Sequence, residues 1–192
     1  MQQAFIFNEI AIIVRHWFEI GPEDAEHGCR IELRHLVPHP HRGSESASQL
    51  IELDRPIWRA DLFDLFTGPP GNFERAHYHP NFDGPEPGSR TWDDGLRADP
   101  FGWAEAQLAD VGALVAACGH ALQDPAEETR DVQRHLDQIL VAARRAAGSE
   151  CRSPESCLQV TRDATEILGM MGSMFRDHLP AGQRDPRRPI TP

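Results

Sequence analysis

The sequence predicts an α+β fold, with an N-terminal antiparallel β-meander sheet followed by three C-terminal helices. Two observations predict it. Before residue 80, apolar and polar side chains alternate and β-branched residues are frequent, the pattern of half-buried strands. From Asp99-Pro100 onward, apolar residues recur every three or four positions, as one face of a helix requires. We read 1–98 as a β-rich portion with polar loops and 99–179 as a helical portion packing on the sheet or at its end. The remaining segment, 180–192, carries four prolines and no apolar stripe and is read as a disordered tail.

The first strand is expected over Glu9 to Ile20, with Ile10, Ile12, Val14, Phe18 and Ile20 on one face, His16 among them, and Glu9, Arg15 and Glu19 on the other. After the turn-forming Gly21-Pro22-Glu23-Asp24, Cys29, Ile31, Leu33 and Val37 alternate against Arg30, Glu32 and Arg34, and His35 falls on the apolar side. These two runs read as a hairpin. Gln49–Asp54 and Trp58–Phe66 read as two further strands, separated at Asp54-Arg55-Pro56 because proline cannot donate to a ladder. Trp58, Ala60, Leu62 and Phe66 share a face with Asp64. The Gly68-Pro69-Pro70-Gly71 turn then leads into a fifth strand over Phe73–His79.

Asp99-Pro100 offers an N-cap followed by proline in the first turn, with Ala104, Leu108, Val111, Val115 and Cys118 forming the stripe. Asp124-Pro125 repeats the signal ahead of Val132, Leu136, Ile139, Leu140 and Ala143. Ser153-Pro154 opens the third helix, whose face includes Leu158, Ile167, Leu168, Met171, Met174 and Phe175 and is read as an adaptable core stripe.

Composition removes several kinds of chemistry. The formal charge of −11 and the sequence pI near 5.3 argue against general nucleic-acid binding, which depends on clustered cations displacing counterions from phosphates. All 19 basic residues are arginine. Without lysine there is no Schiff base for pyridoxal phosphate and no P-loop lysine for a nucleotide. The four cysteines form no C-x-x-C pair and are read as reduced thiols. With no cationic leader pattern and no apolar run of membrane-spanning length, a cytoplasmic protein away from membranes is expected.

The strongest chemical signal is Ala76-His77-Tyr78-His79-Pro80, followed by Asp83. On a strand, two residues of separation put both imidazoles on one face, a beginning for a metal site or an acid–base pair. The proposed hairpin brings His16 and His35 near each other on the apolar face, and Asp64 occupies the matching face of its own strand. We therefore take His77, His79, His35 and His16 as candidate metal ligands, with Asp64 and Asp83 as the candidate catalytic acids. The metal would be a divalent transition ion such as Zn, Mn or Fe. His39 and His41 lie in a proline-interrupted loop and are read as solvated. Arg59 and Arg75 are read as surface charge, with capture of an anionic substrate as the alternative.

Gly71, His77, His79, Asp83 and Gly88 together resemble the first motif of the cupins, in which a glycine precedes two histidines and an acid on a small β-barrel. The resemblance implies that His77 and His79 ligate iron, manganese, zinc or nickel and that Asp83 stands where the family has glutamate. It is confined to Gly71–Gly88, and the second cupin motif has no counterpart among the helices downstream, so we do not assign the chain to that family.

Two functional expectations follow. One is a small metal-dependent enzyme, hydrolytic or lyase-like, acting on a small-molecule substrate through a site centred on His77 and His79. The other is a non-enzymatic interaction module, a homodimer or one partner of a toxin–antitoxin type pair, in which the histidines are structural.

Overall fold

The computed structural model describes residues 2–21, 25–37, 52–148 and 153–159. Five strands form one sheet in the order β1 (Gln2–Ile6), β2 (Ile10–Ile20), β3 (Ala25–Val37), β4 (Glu52–Leu65) and β5 (His77–His79), each antiparallel to its neighbour. A small hairpin of β6 (Phe82–Asp83) and β7 (Glu86–Pro87) follows. Then come α1 (Asp94–Ala98), α2 (Pro100–Leu108), α3 (Val111–Ala117) and α4 (Pro125–Ala147). The expected α+β architecture is the observed one. The chain divides after Glu150 into two units, the first carrying the sheet and α1 to α4. The second shows a helical segment over 154–159, begun at Ser153, whose hydroxyl accepts from the Ser156 amide at 3.1 Å. The rest of the third helix's expected face, including Met171 and Met174, and the 180–192 tail lie outside the described residues.

Several boundaries differ from the sequence reading. A strand, β1, precedes the first one expected from the sequence. The two strands expected around Pro56 are one, β4. Pro56 is tolerated because it faces Arg34 where the β3–β4 register shifts, and because β5 pairs only with Arg59–Asp61 and never reaches it. The single helix expected through Cys118 is two, since the Asp110 carboxylate accepts from the Ala113 amide and starts α3 anew. Asp99 and Asp124 cap α2 and α4 as their Asp-Pro pairs predict, accepting from Gly102 and Glu127. One further helix, α1, starts before residue 99, where Asp93 accepts from the Leu96 amide.

The core lies between one face of the sheet and the helices. Ile10, Ile12 and Val14 of β2, Cys29, Ile31 and Leu33 of β3, and Trp58, Ala60 and Leu62 of β4 pack with Leu108, Val111, Val115, Val132, Ile139 and Ala143. α4 lies against β2 and β3. A slip of one residue would turn Ile10, Ile12 and Val14 away from the helices. At roughly 1.5 to 3 kcal/mol per buried aliphatic side chain, that loss rivals the stability of a whole domain. The register is therefore firmly set, and so is everything on the opposite face. Glu128 of α4 adds a polar anchor: its buried carboxylate accepts from the Glu9 and Ile10 amides at 3.1 Å each. Glu9 returns the contact, accepting from the Gln123 and Asp124 amides.

Gly28, in mid-β3 opposite Phe63, is the position where the sheet requires glycine. Its φ is 155°, and a Cβ there would lie 2.1 Å from the Leu62 carbonyl oxygen, a backbone atom that cannot rotate aside. Gly28→Ala should therefore destabilise the chain by about 3 kcal/mol or more, read as a lower denaturation midpoint in urea. A loss under about 0.5 kcal/mol would show that β3 and β4 are not held this closely.

Candidate metal centre

The face of the sheet turned away from the helices is charged and largely buried. Cross-strand pairing aligns Arg15 with Arg30, Arg30 with Asp61, and Asp61 with His77; one step along, Glu32 faces Arg59, and Arg59 faces His79. Directly opposed residues share a face, so Arg30, Arg59, Asp61, His77 and His79 project together. The parity of β5 is fixed from the other side. Tyr78 points back to the helices, its ring 5.1 Å from that of Trp103 on α2, and Trp103 stacks on Trp58.

Asp61 is fully buried, His77 is 1% exposed and His79 3%. One ligand atom from each of the three lies within 4.8 Å of the other two. His77 Nε2 is 3.4 Å and His79 Nε2 3.7 Å from Asp61 Oδ2. Ligand atoms bound tetrahedrally at 2.0 to 2.2 Å from one ion stand about 3.3 to 3.6 Å apart, so the two distances to Asp61 are close to those of ligands sharing one ion. The second ring nitrogens are already engaged: His77 Nδ1 is 2.7 Å from the Arg75 carbonyl and His79 Nδ1 2.7 Å from the Gly88 carbonyl. A carbonyl oxygen can only accept, which places a proton on each Nδ1. Each Nε2 then faces Asp61, donating to it when the ring carries a second proton and offering a lone pair to a cation when it does not. Backbone carbonyls fix the orientation of metal-ligating histidines in this way.

Two arginines compensate the buried carboxylate. Arg30 donates from Nε to Asp61 Oδ1 at 2.6 Å and from Nη2 to Oδ2 at 3.2 Å, and also to Glu19 at 3.0 Å. Arg59 approaches Oδ2 with Nε at 3.0 Å and reaches His79 Nε2 with Nη2 at 3.0 Å. Burial alone would raise Asp61, but the contacts from His77 and His79, followed by the charge and hydrogen bond of Arg30, reverse this and hold it well below the usual carboxylate range. Phe63 and the exposed Trp92 flank His77, with ring centres at 6.1 and 5.3 Å.

The other sequence candidates stand elsewhere. Asp64 faces the helix side, where it accepts from the amides of Gly71 (2.7 Å) and Phe73 and thereby holds the turn before β5. Asp83 is exposed on β6. His16 pairs with Cys29 in the sheet and its ring lies 6.1 Å from that of His27. His35 meets His120 beyond α3, at 3.3 Å between Nε2 and Nδ1. His16, His35 and Asp64 lie across the sheet from His77 and His79, because residues sharing the apolar parity of Ile12 and Trp58 project toward the helices. The carboxylate that the sequence reading missed is Asp61. Its signal was the pair Arg59 and Asp61, polar residues two apart in the otherwise apolar run from Ile57 to Phe63, matching the spacing of His77 and His79.

No family model matches the chain, and no curated protein or solved structure matches it either, so this centre is interpreted from its own geometry.

Removing the central charge should be costly. Asp61→Asn leaves Arg30 and Arg59 buried without their shared carboxylate and should lower stability by about 3 to 5 kcal/mol, measured by urea denaturation; a loss below 1 kcal/mol would mean that water already reaches the arginines. Acid should also weaken the fold through the helix-side histidines. Burial, with the charge of His27 second, pushes His16 down to about 4, and burial likewise lowers His27 and His35. Each takes its proton more readily when unfolded. Their stabilising contribution is complete above about pH 6.5 and declines as pH falls toward 4. The thermal midpoint should drop across that range, and His16→Asn should flatten the drop; an unchanged slope in that variant would count against a buried neutral His16.

Proposed function

We propose that the chain is a small metal-dependent enzyme, hydrolytic or lyase-like, whose ion is held by His77 Nε2, His79 Nε2 and Asp61 Oδ2. One observation carries the reading: with both Nδ1 protons committed to carbonyls, two imidazole lone pairs and a carboxylate oxygen converge, and such a set of acceptors calls for a cation. His77 Nε2 makes this sharpest, being buried without a hydrogen-bond partner. Two histidines and one carboxylate suit zinc, iron or manganese and leave coordination positions open. A water bound there would lose a proton near neutral pH and could attack an electrophilic carbon or phosphorus. Arg30 would hold Asp61 in place through its other oxygen. None of the helices among the described residues is long and apolar enough to cross a membrane.

The burial of Asp61, His77 and His79 and the two arginines favour a second reading, in which this cluster is a structural bracket and the chain acts by binding a protein partner or a second copy. Elemental analysis separates the two. Protein purified without an affinity tag and dialysed against Zn, Mn or Fe(II) should retain close to one ion per chain. His77→Ala combined with His79→Ala should abolish retention while leaving the helical circular-dichroism signal in place. Ion retained by that double variant, or none retained by the unaltered chain, would overturn the metal-centre reading.

A further inference from the structure

We propose that Arg59 makes this centre selective for an oxyanion: in the metal-free protein its guanidinium stands in for the ion's charge, and with the ion bound it serves the open coordination position, pairing with a carboxylate or phosphate ligand. The inference rests on the metal-centre reading and adds a substrate class to it. Arg30 and Arg59 both approach Asp61, but they are held differently. Arg30 makes directed hydrogen bonds to both carboxylate oxygens and to Glu19. Arg59 sits with Nε 3.0 Å from Oδ2, yet that buried nitrogen has no hydrogen-bond partner, and its directed contact is the one from Nη2 to His79 Nε2. An imidazole nitrogen has a single lone pair. An ion that takes it must displace the Arg59 N–H.

The displaced guanidinium stays close. Nη2 is 3.0 Å from His79 Nε2, and an ion binds that nitrogen at about 2.0 to 2.1 Å, so before Arg59 moves at all the two are no more than about 5 Å apart. One oxyanion spans that gap, with one oxygen on the ion and another accepting from the guanidinium. Charge balance points the same way. A divalent ion added to Asp61, Arg30 and Arg59 leaves a positive excess in a buried site, which Glu32, shared with Arg15 and Arg34, and Glu19, shared with Arg90, offset only in part. The other nearby arginines are engaged: Arg75 with Glu26 at 3.0 Å, and Arg90 with Glu26 at 2.5 Å and Glu19 at 3.2 Å. Arg59 is the cation whose partner the ion itself removes.

Cobalt(II) tests this, because its visible spectrum reports both occupancy and changes at the open position. Arg59→Leu should bind Co(II) about tenfold more tightly than the unaltered chain, since a competing charged donor has gone. Its metal-free form should nonetheless be less stable, a combination that a merely structural arginine would not produce. Inorganic phosphate or acetate added to Co(II)-loaded protein should shift the spectrum, and the apparent affinity should fall at least tenfold in Arg59→Leu. Arg59→Lys, which keeps the charge without the fork, should retain an intermediate response and guards against misfolding of the leucine variant. A response to phosphate alone assigns a phosphoryl ligand, and one to acetate alone a carboxylate. Co(II) bound with no oxyanion response, or with an equal response in all three proteins, overturns the inference and leaves the metal-centre reading standing. Failure of the unaltered chain to bind Co(II) overturns both.

Discussion

Asp61 sits in the middle of β4 with no exposure to water, and it stays ionised because His77 and His79 on β5 face it from one side while Arg30, directly opposite on β3, grips both of its oxygens. The remainder of the charged face is arranged around that pair. Arg30 reaches on to Glu19, Glu19 and Glu26 share Arg90, Glu26 also holds Arg75, and Glu32 holds Arg34. Trp17 lies beneath the guanidiniums of both Arg15 and Arg30, at 4.6 and 4.2 Å. A flat guanidinium can stack on an aromatic ring while bonding in its own plane, which an ammonium cannot do. A sheet face built this way suits a chain whose basic residues are all arginine.

The same face explains why two histidines on a three-residue strand point reliably at one carboxylate. β5 is too short to orient itself by pairing alone. Its register against β4 is reinforced on the outer edge by a bridge between Tyr78 and Thr91, and its parity is set by Tyr78 packing toward Trp103. The Asp64 carboxylate fastens the turn that leads into it. Residues outside the cluster thus determine where its side chains point.

Much of this was legible in the sequence, and its failures have specific causes. The apolar alternation in Ile10–Val14 and Cys29–Leu33 marked strands correctly because one face of each meets the helices. The Asp-Pro pairs marked the starts of α2 and α4 because a capping carboxylate acts locally. His77 and His79 sharing a face was also readable, since it depends only on the pleat. Their partner was not. Seeking it among residues on apolar faces led to His16, His35 and Asp64, whereas the β4–β5 register places Asp61 opposite His77, and register is a long-range property. Pro56 misled for a related reason, since its effect depends on a bulge that only the pairing of β3 and β4 reveals. The Gly71–Gly88 likeness to a cupin motif picked out two histidines that do converge on one carboxylate, but put Asp83 where Asp61 stands.

The reciprocal contacts of Glu9 and Glu128 bear on how the chain reaches this structure. The amides that Glu128 secures lie 119 and 118 residues earlier. Bringing such distant segments together costs about 4 kcal/mol of chain entropy, a charge incurred before any return from the contact. The local pairing of β2 with β3 and the winding of α4 carry no such penalty and can form first. On a ribosome, the N-terminal strands emerge long before the carboxylate that completes their first turn. Docking of α4 is therefore expected late in folding, when the contacts of Glu128 with Glu9 and Ile10 complete the turn between β1 and β2.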